Sequence, residues 1–344
     1  MNESPDVDEL LLPPFRGRRV CVVGYGSQGR AQALNLKDSG VDVVVGLRAG
    51  SPSAAKAQRD GIPIHPLKDA VAQADIIALL TPDSAHEEII RGVVNTTAKR
   101  GAAIVFAHGY SITFGNIGLR GDLQSLLVAP KAIGPELRRL YVEGRGAAAL
   151  IAAEPGDIEL ARAYAVGLGC GRSVILESSF REETETDLFG EQAVLCGGMP
   201  ALVLASFDTL VEAGYSPEAA WFECLFEVRL IAEMMIQSGV AGMVERISDT
   251  AKFGAMEASD RLVDERFRAK LRELLEEIRS GLFAERYEQE RAGGFARTRQ
   301  WVDTVRNARI QAAHQTLAKR MALPTAAATS AEPSAGEATP SGKA

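Results

Sequence analysis

Cysteine, histidine and aromatic side chains are all scarce in this chain. Its 344 residues include four cysteines, four histidines and 6% aromatics. Cys21, Cys170, Cys196 and Cys224 are scattered through apolar sequence without zinc-ligand spacing. They read as reduced core thiols, which excludes a disulfide framework. A basic excess is also missing: the formal net charge of -7 argues against a nucleic-acid partner. No uninterrupted apolar run reaches the length of a membrane span, so no membrane partner is expected. The acidic opening, Met1 to Glu9, lacks a signal-peptide pattern. The cytoplasm follows as the expected compartment.

The chain does have enough apolar sequence, 46%, for one large or two medium domains. Its first half alternates short β-rich runs with helical stretches. Strands are expected at 18–24, 41–47, 75–80, 102–107, 126–129, 147–152 and 173–177. Helices are expected at 27–39, 53–60 and 84–95. This alternation predicts a parallel α/β architecture, a Rossmann-like doubly wound sheet. The texture changes near Ser178. Long helices are expected at 201–213, 217–237, 264–279 and 294–321, from the helical spacing of Leu, Val, Ile and Met. The predicted organisation is a nucleotide-binding domain over residues 1–181 and an all-α domain over 182–323. A tail over 324–344 is too poor in apolar bulk to pack.

Two motifs carry chemistry. The all-α half holds two acid pairs, Asp187/Glu191 and Glu223/Glu227, each at i, i+4 and each set in apolar sequence. Such residues share one helix face, with Cβ atoms roughly 5–6 Å apart. Two such faces together make a nest of carboxylates that repel one another unless a hard divalent cation such as Mg²⁺ neutralises them. A solvent-facing acidic stripe is the bland alternative, and the apolar neighbours Leu188, Phe189, Cys224 and Leu225 argue against it. The second motif is Gly24-Tyr25-Gly26-Ser27-Gln28-Gly29, placed after a strand and opening a helix. Its glycines permit the tight turn and close backbone approach that seat a pyrophosphate at a helix N-terminus. At the end of the second strand, where an acid would bind the ribose of NAD, the chain has Arg48, Ser51 and Ser53 instead. A cation and two hydroxyls there favour the 2′-phosphate of NADP.

These residues, with Ala107-His108-Gly109, Val128-Ala129-Pro130-Lys131, Glu183 through Gly198, Phe222-Glu223-Cys224-Leu225 and Ile247-Ser248-Asp249-Thr250-Ala251, resemble the ketol-acid reductoisomerases of the short-chain class. The resemblance covers roughly residues 8 to 322, and Glu183 to Gln192 is its most specific stretch. It implies an enzyme that converts 2-acetolactate, or 2-aceto-2-hydroxybutyrate, into a 2,3-dihydroxy acid. A Mg²⁺-assisted alkyl shift is followed by reduction with NADPH, in branched-chain amino acid biosynthesis. By resemblance, two Mg²⁺ ions are held by Asp187, Glu191, Glu223 and Glu227, with Asp187 bridging. Ser248 touches the substrate carboxylate, and His108 and Lys131 act in acid/base or electrostatic roles. Tyr25 to Gln28, Arg48, Ser51, Ser53, Asp83, Ser84, Ala85, His86 and Gly134 match cofactor-binding positions. The resemblance also implies a knotted helical domain and a homodimer or higher homo-oligomer, in which Glu223, Glu227 and Ser248 reach the site from the other subunit.

Several positions depart from the family pattern. Thr113 and Phe226 replace histidines. Lys131-Ala132-Ile133-Gly134-Pro135 replaces the frequent Lys-Gly-Pro-Gly-His, and Arg30 and His86 replace a histidine and a glutamine. These changes keep two alternatives open: a paralogue that reduces a different 2-keto acid, and a noncatalytic NADP-binding protein.

Overall fold

A computed structural model describes residues 13–115 and 117–323. The acidic opening and the expected tail lie outside the described residues. The chain divides into two compact units, Met1–Leu188 and Phe189–Ala344.

In the first unit the strands are β1 (Arg19–Val23), β2 (Asp42–Leu47), β3 (Ile64–Pro66), β4 (Ile76–Leu79), β5 (Ala103–Phe106), β6 (Gln124–Pro130), β7 (Ala149–Ala153) and β8 (Ile175–Glu177). The helices are α1 (Ser27–Asp38), α2 (Ala54–Arg59), α3 (Leu67–Gln73), α4 (His86–Ile89), α5 (Asn95–Thr97), α6 (Tyr110–Thr113), α7 (Gly134–Val142), α8 (Ile158–Gly167) and α9 (Phe180–Gly190). Among the described residues, the strands form one sheet in the order β3-β2-β1-β4-β5-β6-β7-β8. Successive side chains leave opposite faces of a strand. Val20, Val22, Ile76, Ala78, Ala103 and Val105 therefore enter one core. Cys21, Val23, Ile77, Leu79, Ile104 and Phe106 enter the core on the other face. Both faces are covered, as a doubly wound sheet requires. β2 and β4 flank β1, so the strand order reverses beside the glycine turn, where open α/β sheets bind ligands.

The expected parallel, doubly wound sheet is present, with one antiparallel pairing. β7 pairs antiparallel with β6, Pro130 opposite Ala149, and β8 then runs parallel to β7. The cause is a short return segment. α7 lies along α1, with Gly134 against Ser27 at one end and the Tyr141 hydroxyl 2.7 Å from Ser39 Oγ at the other. The segment 143–148 then carries the chain back beside β6, where the Lys131 N–H donates to the Ala148 carbonyl. β7 can only run the other way from there.

Other boundaries moved for local reasons. The helix expected over 84–95 opens as a 3₁₀ turn at Asp83–Ala85 and contains a π turn at Ile90–Val94. β3, α3, α7 and α8 were not expected. α8 does carry a start signal, since the Asp157 side chain accepts from Glu159 N and Leu160 N.

The second unit is helical: α10 (Gly198–Glu212), α11 (Pro217–Trp221), α12 (Val228–Arg246), α13 (Asp249–Leu262), α14 (Glu265–Arg279), α15 (Leu282–Ala292), α16 (Ala296–Arg306) and α17 (Ile310–Arg320). The single helices expected over 217–237 and 294–321 are both interrupted, the first by a π turn at Phe222–Phe226 and the second at Asn307–Arg309. α12 then runs past the expected end and kinks at Gly239, whose φ is 70°. α13 and α15 were missed. The core here is small: Val203, Phe207, Ala220, Trp221, Ile310, Ala313 and Leu317.

The helical run Phe180–Glu212 is long and apolar enough to cross a membrane by length and composition alone. The run carries Asp187 and Glu191, and only 11% of its apolar window is buried.

A Cβ on Gly134 would lie 2.2 Å from the Ser27 carbonyl oxygen. Gly134→Ala must therefore push α7 away from the start of α1, and we expect a loss of about 1–3 kcal/mol in urea unfolding. Unchanged stability would contradict this close packing.

Candidate active site

The glycine turn does what its sequence requires. Gly24 has φ 94°, and a Cβ on Gly29 would sit 2.3 Å from the Gly24 carbonyl oxygen, so no side chain fits there. A Cβ on Gly26, by contrast, would meet nothing within 4 Å. Gly26 caps α1 without any side-chain hydrogen bond, so the first N–H groups of that helix keep the free, positive end that suits a pyrophosphate. The Gln28 amide donates to the Ala132 carbonyl at 2.8 Å and ties the turn to the segment leading into Gly134.

Two of the expected cofactor residues turn their side chains inward. The Tyr25 hydroxyl donates to Asp60 at 2.8 Å, and Arg30 holds the same carboxylate through two bonds, at 2.7 and 2.8 Å. Burial and the neighbouring carboxylate push the Tyr25 phenol above its ordinary range. Burial would raise the Asp60 carboxyl, but hydrogen bonds from Arg30 and Tyr25 hold it below the usual value. Arg30, a departure from the family pattern, thus anchors α2, the helix that follows the Arg48–Ser53 segment. His86 is buried, with Nδ1 2.7 Å from Ser111 Oγ and Nε2 3.0 Å from the Thr81 carbonyl. That carbonyl can only accept, so Nε2 carries the proton. Burial lowers the pKa of this ring. Arg48 is exposed and lies 3.6 Å from Glu88. Ser51 Oγ accepts weakly from the Ser53 N–H. Asp83, Ser84 and Ala85 form the 3₁₀ turn after β4.

His108 follows β5 and Lys131 follows β6, so both stand at the same end of neighbouring parallel strands. α9 brings Glu183 and Asp187 to them from one helix face. Glu183 is the centre, with only 1% of its side chain exposed. Its Oε2 accepts from His108 Nδ1 at 3.0 Å and from the Gly109 N–H at 2.8 Å, and its Oε1 accepts from Lys131 Nζ at 2.8 Å. Lys131 Nζ also donates to Asp187 at 3.0 Å. Asp187 Oδ2 lies 3.5 Å from His108 Nδ1.

The electrostatics are mutual. Burial opposes charge on His108, yet the hydrogen bond and charge of Glu183, with Asp187 and Asp83 behind it, raise its pKa above the ordinary histidine value. Lys131 is likewise raised, burial being outweighed by Glu183 and Asp187. Glu183 is lowered, because His108 and Lys131 outweigh its burial. Gly109 makes the approach possible: a Cβ there would lie 2.4 Å from Thr184 Oγ1 and 2.6 Å from the Phe180 carbonyl. Thr113, another departure, bonds Thr184 Oγ1 at 3.0 Å and helps seat the same helix.

Among the described residues, His108, Glu183 and Asp187 form the one group of three or more ligating side chains, their donor atoms within 4.8 Å of one another. Glu191, Glu223 and Glu227 are not members of it. They share another feature. Glu191 opens a π turn, Glu191–Leu195, and Glu223 lies in the π turn Phe222–Phe226, which ends at Glu227. Such widened turns inside α-helices are frequent at functional sites. Phe226 stacks on Trp221 with ring centroids 5.4 Å apart, so this departure fills an aromatic cluster. Ser248 caps α13, its hydroxyl accepting from Ala251 N at 3.2 Å. Sequence reasoning gave Glu183 no role. The signal was its place one helical turn before Asp187.

Family comparison agrees with this geometry. Residues 14–174 match the family described as acetohydroxy acid isomeroreductase, NADPH-binding domain, and residues 180–323 match ketol-acid reductoisomerase, C-terminal domain. The chain belongs to the ketol-acid reductoisomerase family. An NADH-preferring ketol-acid reductoisomerase from an uncultured archaeon superposes with a TM-score of 0.86 at 35% identity, over 89% of this chain and 96% of that one. Two more distant structures share the fold alone. A semialdehyde dehydrogenase NAD-binding protein from Cupriavidus necator has a TM-score of 0.59 at 19% identity, over 76% of this chain and 99% of its own. A 1-pyrroline-5-carboxylate reductase from Streptococcus pyogenes has 0.53 at 16%, over 76% and 98%. The protein is thus a ketol-acid reductoisomerase of branched-chain amino acid synthesis, an oxidoreductase with an isomerase step. It uses a nicotinamide cofactor and acts on a small keto-acid substrate.

Glu183→Gln removes the charge that raises His108, so the ring should titrate lower by NMR and turnover should fall about 100-fold or more. The pH dependence of stability follows from the signs. The contribution of Glu183, whose pKa is depressed, is complete above its unfolded value, about 4.3, and is lost as pH falls through its folded value. The contribution of His108, whose pKa is raised, is complete below its unfolded value, about 6.5, and is lost as pH rises through its folded value. The Tm gap between the unmodified protein and Glu183→Gln should be widest between about pH 4.3 and 6.5. A gap independent of pH would refute the coupling.

Proposed function

We propose that this ketol-acid reductoisomerase carries out a Mg²⁺-assisted alkyl migration on 2-acetolactate or 2-aceto-2-hydroxybutyrate, followed by reduction with NADPH. The observation that carries the reading is the Asp187 carboxylate. It is about a third exposed and stands one helical turn beyond buried Glu183, with Lys131 beside it. Asp187 thus keeps oxygen lone pairs free for a hard cation, which fits Mg²⁺.

Asp187 and Glu191 would hold one ion, with Glu223 and Glu227 serving the second. Bound there, two Mg²⁺ ions would polarise the ketone and stabilise the developing alkoxide, while the nicotinamide supplies hydride. The protein's own groups do the rest. His108 directs Nδ1–H at Glu183, which leaves Nε2 as the ring atom that exchanges a proton with substrate. Lys131 keeps a positive charge beside Asp187 and attracts anionic substrate oxygens. Ser248 would contact the substrate carboxylate. Arg48, Ser51 and Ser53 support NADPH over NADH, with the glycine turn, Asp83 to His86 and Gly134 completing the cofactor site.

A homodimer fits the second unit. Leu195, Leu202, Ile236, Val240, Phe253 and Met256 are all exposed there, many large apolar side chains beside so small a core. In such a dimer the family resemblance would have Glu223, Glu227 and Ser248 reach the site from the second copy.

Incubation with 2-acetolactate, NADPH and Mg²⁺, repeated with the 3-hydroxy-2-keto intermediate, tests the reading. Turnover of both is expected. Turnover of the second alone would make the protein a reductase, and turnover of neither would refute the proposed substrates. Asp187→Asn should abolish the isomerisation, and full activity in that variant would remove the metal role.

A further inference from the structure

We infer that Glu88 tunes cofactor choice by competing with a cofactor 2′-phosphate for Arg48. The inference rests on the proposed assignment of Arg48 to the adenosine ribose. Arg48 follows β2, and Glu88 lies in α4, which follows β4. These two strands flank β1 on opposite sides. The Arg48 Nη1–Glu88 Oε1 pair, at 3.6 Å, therefore spans the end of β1, where the glycine turn begins. That crevice is where a dinucleotide lies across a doubly wound sheet.

The pair is held from both sides. Arg30 and Tyr25 grip Asp60 at the end of α2 and so anchor the segment that begins at Arg48. His86, two residues before Glu88, is locked between Thr81 and Ser111. The neighbouring acid Glu87 is turned to Arg91, at 3.1 Å. Glu88 is thus the carboxylate presented to Arg48, and 75% of its side chain is exposed to an incoming ligand.

The two cofactors meet this pair differently. The phosphate of NADPH is attracted by Arg48 and repelled by Glu88, and it must displace the carboxylate from the guanidinium. The ribose of NADH carries no such charge, and its hydroxyls can donate to Glu88. Glu88 therefore weakens discrimination in favour of NADPH and lets both cofactors bind.

Titration of the full-length protein with NADPH and with NADH, followed by cofactor fluorescence, tests this without any substrate. In E88Q the NADPH Kd should fall about three- to fivefold while that for NADH stays level or rises, a size typical of an exposed ion pair. Placed in an R48Q background, E88Q should shift the ratio of the two constants less, because the competition for the guanidinium is gone and only the direct effects of Glu88 remain. An unaltered ratio in E88Q alone, or an equal change with and without Arg48, would overturn the role of Glu88 and leave the cofactor reading standing. Binding of neither nucleotide by the unmodified protein would overturn both.

Discussion

The buried carboxylate of Glu183 is the constraint on which the site depends. An ionised acid out of water needs compensation, and removing one partner of such a group is far costlier than the pair's net worth. Compensation here comes from three directions: His108 from β5, the Gly109 backbone and Lys131 from β6. Those donors lie on different elements, so satisfying one carboxylate fixes the ends of two strands against one helix. The neighbouring details serve the same docking. Gly109 has no Cβ to block the approach, Thr113 and Thr184 share a hydrogen bond, and Phe180 sits edge-on against Phe106 with centroids 6.1 Å apart. Asp187 inherits its position from this arrangement, one turn further along.

The cofactor end is governed by different physics. There the main work is steric and dipolar: glycines where backbone must meet backbone, and an uncapped helix start. Charge enters through two pairs, Arg30 with Asp60 largely out of water and Arg48 with Glu88 in it. A buried network thus positions His108, Lys131 and Asp187, while an exposed and adjustable pair lies beside the glycine turn. The two regions are joined by Gln28, whose amide holds the segment just after Lys131.

Much of this was legible in the sequence because it is written locally. The change from alternating β-rich runs to long helical spacing marked the two units. The glycine turn could be placed because a strand precedes it and a helix follows. What escaped depends on partners remote in sequence or on subtle local geometry. β3 is three residues long and contains a proline, too short for a period to show. The reversal of β7 depends on where six residues after α7 lead. The break at Asn307 was masked because apolar spacing continues through it. Glu183 looked like one acid among several in an acidic helix start, since its meaning comes from donors more than fifty residues away. Arg30 and Phe226 read as losses of polar rings, yet one anchors a helix and the other fills a core.

The π turns at Glu191–Leu195 and Phe222–Phe226 also restrict how this chain can change length. Each accommodates its residues in a widened loop of backbone within an otherwise continuous helix. Deleting a single residue from either would let the ordinary α ladder close without a break, so folding would not reveal the loss. The widened turn would nevertheless be lost, and with it the placement it gives to Glu191 or Glu223. Insertions and deletions in this family should therefore avoid Glu191–Leu195 and Phe222–Phe226, although neither segment is a conventional catalytic loop and neither is deeply buried.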